Sequence, residues 1–347
     1  MNADIAAILA TDGIANGAIY VLLALGFVLI FTVTRVVFVP FGDIAAFTAL
    51  TLAALETGQM PGTVAMVAAL AGLATLIELG SILRSREFGR IPRALLFYLL
   101  LPMVPALAVW TIAGTPLTMP VRIVLAIAVI LPIAPLLDRI VFRPIADGTV
   151  LLLLIVSLAL HFALSGLGLL FFGAEGVRTE SLTDYMLTIG NLPISGQTLL
   201  IVAAAALFSG LLFLFFEFTL TGKALHATAT NRTGARLMGI RPNNAGTVAY
   251  LLASLLAGVS GVLIAPVNTI FYDSGFLIGL KSFVGAIIGG MVSFPITAIG
   301  SIAVGLLESF AAFWSSAFKE VIVFSILVPV LLWRSWTFVH VEEDDAE

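Results

Sequence analysis

The sequence predicts an all-α, polytopic integral membrane protein with about ten to eleven transmembrane or re-entrant helices. Of its 347 residues, 61% are hydrophobic and only 10% are charged, whereas soluble domains carry about 25% charged residues. The mean hydropathy is +1.16. The apolar residues also gather into continuous runs long enough to cross roughly 30 Å of hydrocarbon as helices. They do not form the alternating ten-residue stretches of a membrane barrel.

In chain order the runs fall at 13–33, 40–56, 62–82, 94–113, 120–137, 149–172, 198–219, 246–266, 276–292, 295–317 and 320–334. Arg35 follows the first, and Pro40 and Gly42 open the second. Arg84, Arg86, Arg90 and Arg93 separate the third from the fourth, and Arg139 and Arg143 follow the fifth. The segment 276–292 is short and glycine-rich, so it is read as either spanning or re-entrant. The longest polar loop, 220–245, holds Lys223, Arg232, Arg236 and Arg241. If it is cytoplasmic, alternation gathers these residues with Arg334 and the basic residues already named on the same side. Arg122, Arg178 and Lys319 fall outside, as the positive-inside rule expects. The N-terminus is then external. The C-terminus, with Glu342-Glu343-Asp344-Asp345, is internal, and its acidic tail 340–347 is read as a solvated end or a docking segment. The chain is expected to form one transmembrane domain, 1–347.

Sixteen basic residues against twenty acidic ones give −4, which does not fit a nucleic-acid partner. There is no cysteine, hence no thiolate chemistry. His161, His226 and His340 are too scattered to predict a metal centre. Residues 1–12 contain no basic residue, so no cleavable leader is expected. Gly222-Lys223-Ala224 lacks the upstream glycine and the hydroxyl residue of a phosphate cradle.

Four features stand out. Residues 223–238, rich in Ala and Leu and stopped by Gly239 before Pro242, predict a helix outside the bilayer. It is either a plain connector or a lever that docks in a partner's groove. Asp43 sits where Pro40 and Gly42 break a helix, either beside a cavity with free backbone N–H groups or as an interfacial cap. Glu308 lies mid-span, and Lys281 is its candidate partner, in a structural pair or as a substrate contact. His161, four residues from Ser157, reads as a satisfied core histidine. Gly258, Gly261, Gly285, Gly289 and Gly290 let helices approach closely.

Several stretches together carry a resemblance. They are Asn16-Gly-Ala-Ile-Tyr-Val-Leu-Leu-Ala-Leu-Gly26, Asp138-Arg-Ile-Val-Phe-Arg-Pro144, Gly222-Lys-Ala through Met238-Gly-Ile240, Leu256-Ala-Gly-Val-Ser-Gly-Val262, Gly279-Leu-Lys-Ser-Phe283, Gly285-Ala-Ile-Ile-Gly-Gly290, Gly300 and Gly305-Leu-Leu-Glu-Ser309. The chain resembles the membrane-spanning permeases of branched-chain amino-acid ABC importers, specifically their H-type subunit, over nearly its whole length except about 57–117. The resemblance implies an assembly of two permeases, two ATPases that bind ATP and Mg, and a periplasmic binding protein, in a bacterial inner membrane. It implies no cofactor and no enzymatic activity in this chain.

Loop 221–244 would then couple to the ATPase through Gly222, Lys223, His226, Asn231, Arg232, Arg236 and Gly239. The substrate path is expected to involve Phe38, Phe41, Gly42, Asp43, Ser157, His161, Lys281 and Glu308. Two departures stand out. Where the family usually reads Asn-Phe-Ala, this chain has Phe38-Val39-Pro40, which implies a less polar ligand. Residues 62–113 look like an inserted helix pair. The broken helix favours an anion at its N-terminal end, with Phe38 and Phe41 as an apolar wall. The competing expectations are a stand-alone ion-coupled carrier or an intramembrane enzyme, and neither needs a cytosolic docking helix.

Overall fold

The structure is a computed structural model that describes residues 3–332 apart from 113, 116, 147, 191 and 327. Arg334, His340 and the acidic tail lie outside the described residues. Among the described residues, eight helical runs are long and apolar enough to cross a membrane. Two shorter helices and a C-terminal turn of helix account for the other expected segments.

The first span, α1 (Ala3–Thr34), is 32 residues long, about 48 Å at 1.5 Å per residue. It begins ten residues before the expected start because Asp4 and Asp12 interrupt the hydropathy without interrupting the helix. It is apolar on all sides, as a helix in the centre of a bundle must be. It packs on α12 (Pro242–Ile264) and antiparallel to α14 (Phe294–Trp314). Gly13 faces Leu306 and Gly17 faces Ile302, each so closely that a Cβ would collide with the partner backbone. At the same end Ser309 Oγ donates to Leu9 C=O at 2.7 Å.

Residues 35–40 leave the helical path. Arg35 has φ 61° and Pro40 cannot donate a backbone hydrogen bond. The second helix, α2 (Phe41–Glu56), starts only there. The Phe41 ring packs on Phe27 at 5.2 Å and abuts Gly26, so α2 begins beside the last third of α1, about two turns short of its end. The 16 residues of α2, about 24 Å, are too few for the full hydrocarbon layer.

The stretch 62–113 forms α3 (Gly62–Ser85), a 3-10 turn (Phe88–Arg90), α4 (Ile91–Leu95), a π-helical turn (Leu96–Leu100) and α5 (Leu101–Ile112). The expected span 120–137 is α6 (Met119–Ile130) followed by α7 (Ile133–Leu137). It continues through a second π-helical turn, Asp138–Phe142, and a 3-10 turn, Arg143–Ile145. Next come α8 (Val150–Phe172), the antiparallel hairpin β1 (Met186–Ile189) and β2 (Leu192–Ser195), and α9 (Gly196–Phe218). The hairpin pairs Met186 with Ser195 inside what sequence read as plain loop. The expected segment 276–292 is α13 (Ser274–Ile288), 15 residues long. Toward the end of the described residues, α15 covers Lys319–Ser325 and residues 328–332 are again helical. α8 and α9 expose most of their apolar surface, which places them at the lipid-facing rim around α1 and α12.

Candidate functional site

The site begins with the two short helices. α2 and α13 meet at their N-terminal ends, where a Cβ on Gly42 would lie 2.8 Å from Gly279 Cα and one on Gly275 would lie 2.5 Å from Asp43 Cα. No other residue fits between these backbones. A helix N-terminus carries partial positive charge from unpaired N–H groups, and here two such ends converge on Asp43, which has no accessible surface.

Asp43 caps nothing, because α2 has no side-chain cap hydrogen bond. Instead its Oδ2 lies 2.7 Å from His161 Nδ1, and its Oδ1 has no partner among the described residues. His161 stands in the middle of α8 and stacks on Phe276 of α13 at 4.6 Å. Four residues earlier, Ser157 Oγ accepts the Val39 N–H at 2.8 Å. One face of α8 therefore holds both the broken stretch and the first turn of α2. His161 and Ser157 were singled out from sequence, but their pairing with Asp43 and Val39 was not. Spacing along the chain gives no signal for a contact 118 residues away.

Phe38 and Phe41, expected as an apolar wall, are fully buried in this conformation. Phe38 packs edge-on against Tyr250 at 5.3 Å and Phe142 at 5.7 Å. Its size is explained by this aromatic core, a packing reason independent of any ligand.

The second cluster is ionic. Lys281 Nζ on α13 donates to Glu308 of α14 at 2.6 Å and to Glu320 of α15 at 3.0 Å. Tyr20 OH of α1 donates to the other oxygen of Glu308 at 2.5 Å. The Lys281–Glu308 pair anticipated from sequence is present, within a four-residue cluster that ties α1, α13, α14 and α15 together. Tyr20 and Glu320 were missed because a tyrosine in a span and a glutamate near a loop carry no distinguishing signal.

At the end of the bundle that holds Thr34, the expected single helix 223–238 is two. α10 (Leu220–Thr230) and α11 (Arg232–Leu237) are divided at Asn231. The Asn231 backbone is extended, and its side chain accepts the Gly234 N–H at 2.8 Å, so it stops one helix and caps the next. Gly239, with φ 82°, ends the second as expected. Gly222 lies so close to the Phe215 carbonyl that a Cβ would collide with it, which locks α10 against α9. Lys223, His226 and Arg236 are exposed, as are Leu237 and Met238 beside them. Arg232 instead turns inward and lines a small pocket with Asp138, Arg143 and Thr34.

Arg143 is the hub of that region, bonding Asp138 at 2.8 Å, the Tyr98 hydroxyl at 3.1 Å and Thr247. Arg139 pairs with Glu78 at 2.6 Å. These contacts fasten the stretch 62–113 to the bundle.

Residues 9–331 match the family described as branched-chain amino acid transport system, permease component. The chain is 27% identical over 245 residues to the high-affinity branched-chain amino acid transport system permease protein BraD of Pseudomonas aeruginosa, covering 68% of this chain and 80% of that one. It is 28% identical over 203 residues to LivH of Escherichia coli, covering 56% and 66% respectively. To a probable LivH of Methanocaldococcus jannaschii it is 26% identical over 234 residues, covering 64% and 70%. No solved structure matches. With a family match across nearly all described residues and a polytopic helical fold, the chain belongs to the permease components of branched-chain amino acid transport systems.

Proposed function

We propose that this permease forms the translocation path of an ATP-driven importer together with a second homologous permease. Two ATP-binding-cassette ATPases hold the ATP and Mg, and a periplasmic binding protein delivers the substrate. The substrate is a branched-chain amino acid or a related small amino acid or carboxylate, aromatic ones included. The observation that carries the proposal is the family match over 9–331. The names of the relatives support the substrate class.

The α10–α11 pair is the ATPase contact. It presents Lys223, His226, Arg236, Leu237 and Met238 outward, while Gly222 and Asn231 fix its shape and Gly239 its end. A push on α10 reaches α9 directly, and α1 and α12 through their contacts with it. The path runs at the α2–α13 junction beside Asp43 and His161, where the broken helix supplies polar groups inside an apolar bundle. Lys281 and Glu308 hold the helices around it.

The protein lies in the inner membrane with its N-terminus outside and its C-terminus in the cytoplasm. The gathering of Arg35, Arg143 and Arg232 around adjoining pockets at one end of the bundle supports that orientation. The stretch 62–113 is an addition to the family pattern. The alignment with BraD covers 68% of this chain and 80% of BraD, and the greater length of this chain supports that reading.

The test is reconstitution. The complete complex in proteoliposomes takes up substrate only with the binding protein and ATP, and the purified subunit alone neither hydrolyses ATP nor transports. Substrate uptake by the subunit alone, without ATP, would make it a stand-alone carrier and overturn the proposal.

A further inference from the structure

A cavity of about 400 Å³ opens between the end of α1, the end of α9, one face of α10 and the turn before α14. Its size falls within the roughly 300–1,000 Å³ of small-ligand sites. Phe31, Phe213, Phe216 and Phe294 make it apolar, and Phe216 and Phe294 pack together at 5.3 Å. Arg35 and Glu217 also line it. Among the described residues neither forms an ion pair, with each other or with anything else. Arg35, at φ 61°, ends α1 in the left-handed turn common at helix C-termini, its N–H bonded to the Phe31 carbonyl at 2.8 Å.

From this lining we infer a cytoplasmic-side binding site for a zwitterionic amino acid with an apolar side chain. The inference rests on the orientation and substrate class proposed above. A guanidinium matches a carboxylate with two parallel hydrogen bonds, Glu217 matches an ammonium group, and the phenylalanines receive the side chain. A fatty acid would satisfy Arg35 but bring its negative head to Glu217. A simple amine would satisfy Glu217 but oppose Arg35. A ligand bearing both charges and an apolar body uses every wall. Leu225, His226, Ala229 and Thr230 of α10 form the remaining side, so an occupant wedges against the helix that meets the ATPase. Amino acid accumulated in the cytoplasm thereby slows its own import.

The test uses the complete permease–ATPase complex in lipid nanodiscs, with no binding protein and no ATP. Saturation-transfer NMR reads binding through the methyl protons of L-leucine. Leucine should bind the native complex, and Arg35→Asn and Glu217→Gln should each weaken it roughly tenfold, the loss of one charge-assisted contact. Asparagine suits the left-handed backbone at position 35, and co-purification of the ATPase checks assembly. Isoamylamine and 4-methylpentanoate, each with one of the two charges, should compete at least about tenfold more weakly than leucine. In proteoliposomes, L-leucine preloaded on the ATPase side should slow import by the native complex and leave both variants unslowed.

Absence of a leucine signal overturns the inference, as does a signal unchanged in both variants. Competition by 4-methylpentanoate equal to that of leucine makes the cavity a site for anionic amphiphiles and overturns it too. If a variant fails to assemble, the analogue series on the native complex still decides. A native complex that binds leucine in this way but imports nothing refutes the transport proposal alone.

Discussion

Removing the charge of Lys281 should damage the protein more than removing that of Glu308, and the geometry sets the order. Lys281→Met strands two carboxylates, Glu308 and Glu320, beside one another and beside Tyr20. Breaking a buried ion pair by deleting one partner costs about 3–5 kcal/mol. Glu308→Gln leaves Lys281 its contact with Glu320 at 3.0 Å, and Tyr20 OH still donates to the amide carbonyl. The cost should be about 1–3 kcal/mol, that of a weakened buried hydrogen-bond set. In the double variant only Glu320 remains charged, and it is 31% exposed, so the double should be more stable than Lys281→Met alone. A coupling of roughly 2 kcal/mol is expected, within the range for residues that share a network. Unfolding of the four proteins in mixed micelles of dodecyl maltoside and rising dodecyl sulfate, followed by tryptophan fluorescence, measures it. Equal damage from the two single changes, or strict additivity in the double, would refute the arrangement.

Asn231→Ala removes the cap of α11 and should cost about 1 kcal/mol locally, lowering transport per ATP hydrolysed while Asn231→Asp retains it; paired uptake and phosphate-release assays decide. Arg236→Glu, at an exposed position, should abolish co-purification of the ATPase without lowering expression. Arg232→Glu should in addition lower thermal stability, because it places a carboxylate beside Asp138. Gly42→Ala should destabilise by about 1–3 kcal/mol through overpacking of α2 against α13, whereas Gly72→Ala, inside α3 with open space around it, should hold or raise the melting temperature because alanine favours the helix.

The spans and the helical character of 223–238 were legible in sequence because both depend on local composition. Continuous apolar runs reveal a membrane helix wherever its neighbours lie, and Ala and Leu before Gly239 reveal helix there. The break at Asn231 was visible in principle, since asparagine is a favoured N-cap residue, but the flanking helix-formers masked it. The start of α1 was misplaced because Asp4 and Asp12 lower hydropathy without breaking the backbone ladder. The heart of the candidate site was illegible for another reason. Asp43 meets His161, Tyr20 meets Glu308, and Gly42 meets Gly275 across 118 or more residues, and such pairings are set by how helices cross. The size of Phe38, read from sequence as a ligand preference, has its explanation in Phe142 and Tyr250.

The antiparallel seam between α1 and α14 joins residues some 300 positions apart, as the Ser309 bond to Leu9 shows. At roughly 5–20 residues synthesised per second, that separation is about 15 to 60 s of ribosome time. During that interval the face holding Gly13 and Gly17 stands in the bilayer without its mate, and close packing of small residues is what drives helices together there. A nascent chain stalled before Gly305 would therefore present an unmatched seam able to accept the α14 of another copy. Slowing translation between α12 and α14 should raise the yield of entangled dimers, and hastening it should lower it.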